Sequence, residues 1–267
     1  MIVLASPISF PTARRSTMKQ QAPVLARFES YALFLDIDGT LSDIAPSPEG
    51  AFVDIATSQA VQRLSSELGG ALAVISGRQL TDIDRLIGHC AQNAAGSHGA
   101  ELRKAGQCLH VSAAPVINID AIETSIFTSF PNARGLLIER KPFSVALHYR
   151  GNPALADAVE DFVDHVVRKH DGLAKVKGKM IVEIVPADVN KGRAIASFMS
   201  CEPFLGRIPV FAGDDFTDEH GFETVNALEG VSIKIGDGPS CARYRFDDAV
   251  QFRQWLTRLG SAQHSTD

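Results

Sequence analysis

Ala32-Leu-Phe-Leu-Asp-Ile-Asp-Gly-Thr-Leu41 is the stretch on which the fold turns. Its four apolar residues, Ala32 to Leu35, run on without alternating, the pattern of a strand covered on both faces, and the run ends at once in Asp36 and Asp38. The same form recurs outward from it. Ala71–Ile75 precedes Ser76-Gly-Arg78, Pro209–Ala212 precedes Gly213-Asp-Asp-Phe-Thr-Asp-Glu219, and Val231–Ile235 is a further apolar run. Between these runs Ile55, Val61, Leu64 and Leu68 recur at helical spacing, as do Leu80, Ile83, Leu86 and Ile87. Buried strands joined by crossover helices predict an α/β fold built on a parallel sheet.

The middle of the chain follows another pattern. Ser144–Arg150 and Lys179–Val185 read as strands of a half-exposed, antiparallel sheet, and a helix over 153–170 sets Leu155, Val159, Phe162, Val163, Val166 and Val167 on one face. A second helix is expected over 117–130. The domain reading is therefore a core of residues 29–103 and 188–258, an inserted α+β cap of residues 104–187, and tails of residues 1–28 and 259–267.

Composition narrows the class. The 267 residues, 45% hydrophobic and 21% charged, are those of an ordinary globular chain. A formal charge of -5 argues against nucleic acid and an anionic membrane surface as partners. No apolar run approaches the ~18–20 residues of a membrane helix, and the N-terminus lacks the order of a signal peptide. Cys90, Cys108, Cys201 and Cys241 are scattered without zinc-site spacing, so a reducing, cytoplasmic location is expected.

The strand ends carry the chemistry. In open α/β sheets ligands bind outside the carboxyl ends of strands. Side chains two apart share a side of an extended segment, so Asp36 and Asp38 are expected to converge, and two such carboxylates call for a hard cation such as Mg²⁺ between them. Gly39 allows a sharp turn there, and Thr40 offers a hydroxyl. Asp214, Asp215, Asp218 and Glu219 add four acids at a second strand end; Asp214, Asp215 and Asp218 are expected to bind metal with Asp36, while Asp215 or Thr217 caps the helix that follows. Ser76-Gly77-Arg78 suits a phosphate oxygen through hydroxyl and amides, with Ser76 as a plain helix cap the other reading. Lys191, in Asn190-Lys-Gly-Arg193, is either a point charge for phosphate or a solvated surface lysine, and Asn190 can cap the helix there.

Taken in order, these four motifs resemble those of the haloacid-dehalogenase-like phosphatases, which implies a Rossmann-like core with an inserted cap. The resemblance implies that Asp36 is the nucleophile and becomes an aspartyl-phosphate. Asp38 would then be the general acid and base, with its carbonyl on the metal. Asp214 would complete the Mg²⁺ site, Asp215 or Asp218 would support it, and Ser76 and Lys191 would hold the phosphoryl oxygens together with Gly77 and Arg78. Within that superfamily, Glu139-Arg-Lys-Pro-Phe-Ser-Val-Ala-Leu-His-Tyr-Arg150, Gly178-Lys-Met-Ile-Val-Glu-Ile184 and Gly96-Ser-His-Gly-Ala-Glu101 are similar to the trehalose-6-phosphate phosphatases, over residues 31–245. This implies that Glu139, Lys141 and Glu183 bind sugar hydroxyls. It also implies a small-molecule sugar phosphate as substrate and a functional link to a trehalose-6-phosphate synthase. No role for His98, Glu101 or His148 follows from the sequence.

Against the acidic whole, Arg78, Arg140, Lys141, Arg150, Lys175, Lys177, Lys179 and Lys191 are expected to gather as a local positive funnel. A monomer is expected. Rival readings are a phosphatase of another sugar phosphate (sucrose 6-phosphate or mannosylglycerate phosphate), a sugar phosphomutase, and a phospho-accepting signalling domain. The last is about half this length and needs no second carboxylate two residues after the acceptor.

Overall fold

The computed structural model describes residues 23–45, 48–88, 92–105, 107–110 and 118–259. In chain order its elements begin with β1 (Tyr31–Leu35), α1 (Ile55–Glu67), β2 (Leu72–Ile75), α2 (Leu80–Ile87), β3 (Asn93–Gly96), β4 (Glu101–Lys104) and β5 (Gln107–His110). Then come α3 (Ile119–Ser129), β6 (Leu137–Arg140), β7 (Val145–His148), α4 (Ala156–Lys169), β8 (Leu173–Gly178) and β9 (Ile181–Pro186). The chain closes with α5 (Lys191–Met199), β10 (Ile208–Gly213), α6 (Glu219–Ala227), β11 (Val231–Ile235), β12 (Tyr244–Phe246) and α7 (Ala249–Leu259).

The first sheet has eight strands in the order β12-β11-β10-β1-β2-β3-β4-β5. β1 lies between β10 and β2, parallel to both, with Leu33 opposite Val210 and Leu72. Its residues Ala32–Leu35 are at most 1% exposed, which is why this run shows no alternation. Phe34 stacks on Phe204 at 5.4 Å with Phe198 beside both, fixing α5 against the sheet. The fold is α/β, a Rossmann-like core with a cap.

Two boundaries differ from the sequence reading. The core sheet runs on through the antiparallel hairpin β4–β5 to His110, past the expected limit at 103. That hairpin is short and polar, so no apolar run announces it. Residues 23–28, read as tail, include Phe28, 3% exposed in the core cluster; residues 1–22 and 260–267, and Ile117 at the start of the expected helix, lie outside the described residues.

The second sheet, β6-β7-β9-β8, is antiparallel throughout, and one face is covered by α3 and α4. Val145, Leu147, Val182 and Ile184 point to those helices and meet Ile126, Val159 and Val163. Because side chains alternate along a strand, the residues between them face the other way. Glu139, Ala146 and Glu183 stand in register across β6, β7 and β9, and His148 shares their face. One face of this sheet thus makes a second core and the other is left to carry function. Among the described residues no helix is long and apolar enough to cross a membrane, and Cys201 and Cys241 are free thiols.

Gly192 locks α5 to α6, since a β-carbon there would lie 2.3 Å from the His220 carbonyl oxygen and 2.4 Å from Thr224 Oγ1. Gly192→Ala is expected to cost about 1–3 kcal/mol. Thermal unfolding should show it as a melting temperature lower by about 2–4 °C per kcal/mol.

Candidate active site

Asp36 follows β1, Ser76 follows β2, Asp214 follows β10, and Lys191 opens α5, so four separate segments meet at the carboxyl ends of the parallel strands. Lys191 is 3% exposed and its Nζ donates to Asp36 Oδ1 at 2.8 Å and to Asp218 Oδ1 at 2.6 Å. The solvated-lysine reading therefore falls. Asp36, Asp214 and Asp218 each present an oxygen within 4.8 Å of the others. Three carboxylates against one ammonium leave two negative charges in a buried place, which a divalent cation would balance.

Titration behaviour agrees with that imbalance. Burial pushes the Asp36 carboxyl well above the usual carboxylate range despite the neighbouring Lys191. Burial, followed by the charge of Asp218, raises Asp214 to about 7. The cradle is also shaped for close approach: Gly39 holds φ at +76°, and a β-carbon on it would lie 2.0 Å from Asp214 Oδ2. Lys234 donates to the backbone carbonyl of Asp214. Thr40 beside Gly39 is fully buried with its hydroxyl unpartnered.

Asp38 and Asp215 stand outside this cluster. β1 ends at Leu35 and a turn begins at Ile37, so the strand alternation expected to bring Asp36 and Asp38 together does not extend to Asp38. Arg78 captures the Asp38 carboxylate with two hydrogen bonds of 2.7 Å, to Oδ2 and Oδ1. Asp215 is an N-cap. Its side chain accepts from Phe216 N at 2.7 Å, while its own N–H donates to Asp218 Oδ2 at 2.9 Å. Asp218 is thereby held on both oxygens, one by Lys191 and one by the cap. Asn190 caps α5 as expected, accepting from Arg193 N.

Ser76 is buried, and its Oγ accepts from Arg78 N at 3.1 Å; the N-cap position of α2 falls instead on Gln79. The first amide of α2, Leu80 N, is satisfied by Glu101 Oε2 at 3.2 Å, which also accepts from Ser97 Oγ at 2.9 Å. Glu101 is therefore a clamp between two loops. Its partners lie 21 and 4 residues away, and only the folded chain shows both.

The exposed face of the second sheet closes the site from above. Glu183 is 3% exposed and accepts from Ser144 Oγ at 2.5 Å and from Lys141 Nζ at 3.1 and 3.2 Å, with His98 Nε2 3.5 Å from Oε2. Burial pushes this carboxyl up, but His98, Lys141 and Ser144 together outweigh it and hold it at about 2. Glu139 Oε2 pairs with His148 Nε2 at 2.8 Å, and the imidazole keeps the carboxyl below its usual range. Asp36, Asp38, Ser76, Gly77, Arg78, Glu139, Lys141, Glu183, Lys191, Asp214 and Asp215 all line one cavity of about 700 Å³ between the sheets, the size of a small-molecule site.

The basic funnel forms only in part. Arg78, Lys141, Arg150, Lys179 and Lys191 line the cavity. Arg140 pairs with Asp120 and Glu123, Lys175 with Asp164, and Lys177 with Glu160. Lys175 and Lys177 flank Val176, which does line the cavity, so strand alternation sends them to α4.

The family model described as trehalose-phosphatase matches residues 34–249. The trehalose-6-phosphate phosphatase of Escherichia coli is 39% identical over 232 residues, 87% of each chain. A crystal structure of a trehalose-6-phosphate phosphatase related protein is 27% identical, covering 89% of this chain and all of that one, with a TM-score of 0.71. The C-terminal domain of the C. albicans trehalose-6-phosphate phosphatase shares the fold at 21% identity, covering 87% of this chain and 92% of that one, with a TM-score of 0.77.

A pH dependence follows from Asp214. Its carboxyl titrates near 7 in the folded chain against an ordinary 3.8, so the cation-free protein loses stability through this group as pH rises from about 4 to about 7. A cation that displaces the proton works the other way. The melting-temperature gain on adding Mg²⁺ should be larger at pH 8 than at pH 5.5; equal gains would place the cation elsewhere.

Proposed function

The chain belongs to the trehalose-phosphatase family, and on that premise we propose that it hydrolyses trehalose 6-phosphate to trehalose and phosphate with Mg²⁺ as its metal. The observation that carries the reading is the single cavity in which Asp36, Lys191 and Asp214 face Glu139, Lys141 and Glu183 of the cap, with Asp218 buried behind Lys191. A phosphate end and a polyol end are thus provided together.

Asp36, Asp214 and Asp218 would hold the ion, which supplies neutralisation of charge between an attacking carboxylate and a phosphoryl dianion. Asp36 attacks phosphorus in line with the sugar oxygen, forming an aspartyl-phosphate as the phosphorus–oxygen bond to trehalose breaks. Asp38, once it has left Arg78 and taken up a proton, gives that proton to the departing oxygen and then takes one from the water that cleaves the acyl phosphate, releasing phosphate and restoring Asp36. Lys191, fixed by two carboxylates, keeps Asp36 in place and offers its remaining charge to the phosphoryl oxygens. Ser76 Oγ, whose position the Arg78 N–H fixes, and the amide of Gly77 hold the other oxygens, with Arg78 beside them. Glu139 has one oxygen on His148 and lines the cavity, and with Lys141 and Glu183 it meets the sugar hydroxyls. The cap excludes bulk water from the acyl phosphate. We place the enzyme in the cytoplasm, acting as a monomer on the product of a trehalose-6-phosphate synthase.

Phosphate release from trehalose 6-phosphate, sucrose 6-phosphate, glucose 6-phosphate and an aryl phosphate, each with Mg²⁺ and with EDTA, tests the reading. Strong preference for trehalose 6-phosphate, lost in EDTA, is expected; turnover of the aryl phosphate alone would remove the sugar assignment. Asp36→Asn should lower kcat by at least about 10³-fold with the fold intact by circular dichroism. Lys141→Ala should raise KM for trehalose 6-phosphate about 10–100-fold while altering aryl phosphate turnover little.

A further inference from the structure

The stretch Ser97-His98 takes no part in the chemistry above, yet the chain adopts an unfavourable backbone to build it. Ser97 and His98 hold φ of 49° and 59° in succession, left-handed conformations that side chains other than glycine avoid. Such strain persists only where surrounding contacts over-determine it. Here Ser97 N donates to Arg78 O at 2.7 Å, and His98 N donates to Ser76 O at 3.0 Å, so the two residues are pinned to the Ser76–Arg78 loop. The His98 ring lies against that loop, with its Cε1 only 2.7 Å and its Nε2 2.8 Å from where a β-carbon on Gly77 would be. Its Nε2 stands 3.5 Å from Glu183 Oε2.

The other partners of Glu183, Lys141 and Ser144, come from the β6–β7 connection and belong to the cap. His98 comes from the core. It is 9% exposed, lines the cavity, and spans the gap between the loop read as the phosphate cradle and the carboxylate on which Lys141 hangs.

We propose that His98 is a positioning residue that, from the phosphate loop of the core, holds Glu183 and through it Lys141 in the orientation that grips the sugar. It sets the separation between the phosphate end and the sugar end of the site. The backbone strain then has a function: a regular turn would carry the ring away from Glu183. This inference rests on the reading of the cap as the sugar reader.

KM and kcat for trehalose 6-phosphate and para-nitrophenyl phosphate, in the wild type, His98→Phe and His98→Gln, test it. Phe keeps a ring against Gly77 and removes the polar contact, whereas Gln restores a donor. His98→Phe is expected to raise KM for trehalose 6-phosphate about 10–100-fold, with para-nitrophenyl phosphate turnover changed less than about twofold, and His98→Gln to recover most of the loss. An unchanged KM in His98→Phe, or a parallel fall on both substrates, would overturn it. Should the wild type fail to turn over trehalose 6-phosphate, the functional reading fails instead. The inference is then decided in the substrate-free protein by a double-mutant cycle of melting temperatures with Glu183→Gln: non-additive shifts support the contact, and additive shifts sink it.

Discussion

Three carboxylates forced into one buried place would drive the strand ends apart if nothing balanced them. Lys191, donating to both Asp36 and Asp218, is the counter-charge the chain itself supplies, and it offsets one of the three. Its own ammonium is buried, which disfavours its charge, but the two flanking carboxylates win and hold it protonated above its ordinary range. Removing one partner of such a buried pair costs roughly 3–5 kcal/mol because the survivor is left uncompensated. Position matters as much as charge. Lys191 reaches the site because Asn190 caps α5 at that point, and α5 is fixed to the sheet by Phe34, Phe198 and Phe204. The core packing is thus what aims the ammonium.

The second sheet solves a different problem. A four-stranded antiparallel sheet can be covered on one side and left open on the other, and strand alternation then sorts its side chains without further instruction. Val145, Leu147, Val182 and Ile184 go to α3 and α4, while Glu139, His148 and Glu183 go to the cavity. Charged residues on the open face would ordinarily be solvated and mobile. Here each is held by a second group, Glu139 by His148 and Glu183 by Lys141, Ser144 and His98. A polyol offers many weak donors and acceptors, so a surface that reads it gains from having its own groups fixed beforehand.

Loops between the motifs do more structural work than their polarity suggests. The segment after β3 is stitched to the segment after β2 by two backbone hydrogen bonds and by the shared carboxylate oxygen of Glu101. Gly96 permits this approach, since a β-carbon there would meet Leu80 N at 2.8 Å and Arg78 O at 2.9 Å. The two neighbouring strand ends are thereby tied together as one floor of the site.

From the sequence alone, the buried strands, the crossover helices and the order of the motifs were legible, because a strand covered on both faces leaves an uninterrupted apolar run and a strand end in acids leaves a local string. Asp36, Asp38, Asp214, Asp215 and Asp218 could be named on that ground, while Ser76 and Lys191 kept a plain structural reading beside the functional one until the family resemblance was drawn. Tertiary structure decided everything that depends on residues far apart in the chain. It paired Asp38 with Arg78, 40 residues away, and made Asp215 a cap while Asp218 joined Asp36 and Asp214 in the cluster. It drew the polar hairpin β4–β5 into the core sheet, and divided the basic residues between cavity and cap helices by strand parity. It also gave partners to Glu101, His148 and His98, whose roles lie in who they touch. Local patterns record which surfaces must be buried; a hydrogen bond or ion pair between distant segments leaves no periodic trace, and only the closed chain selects it.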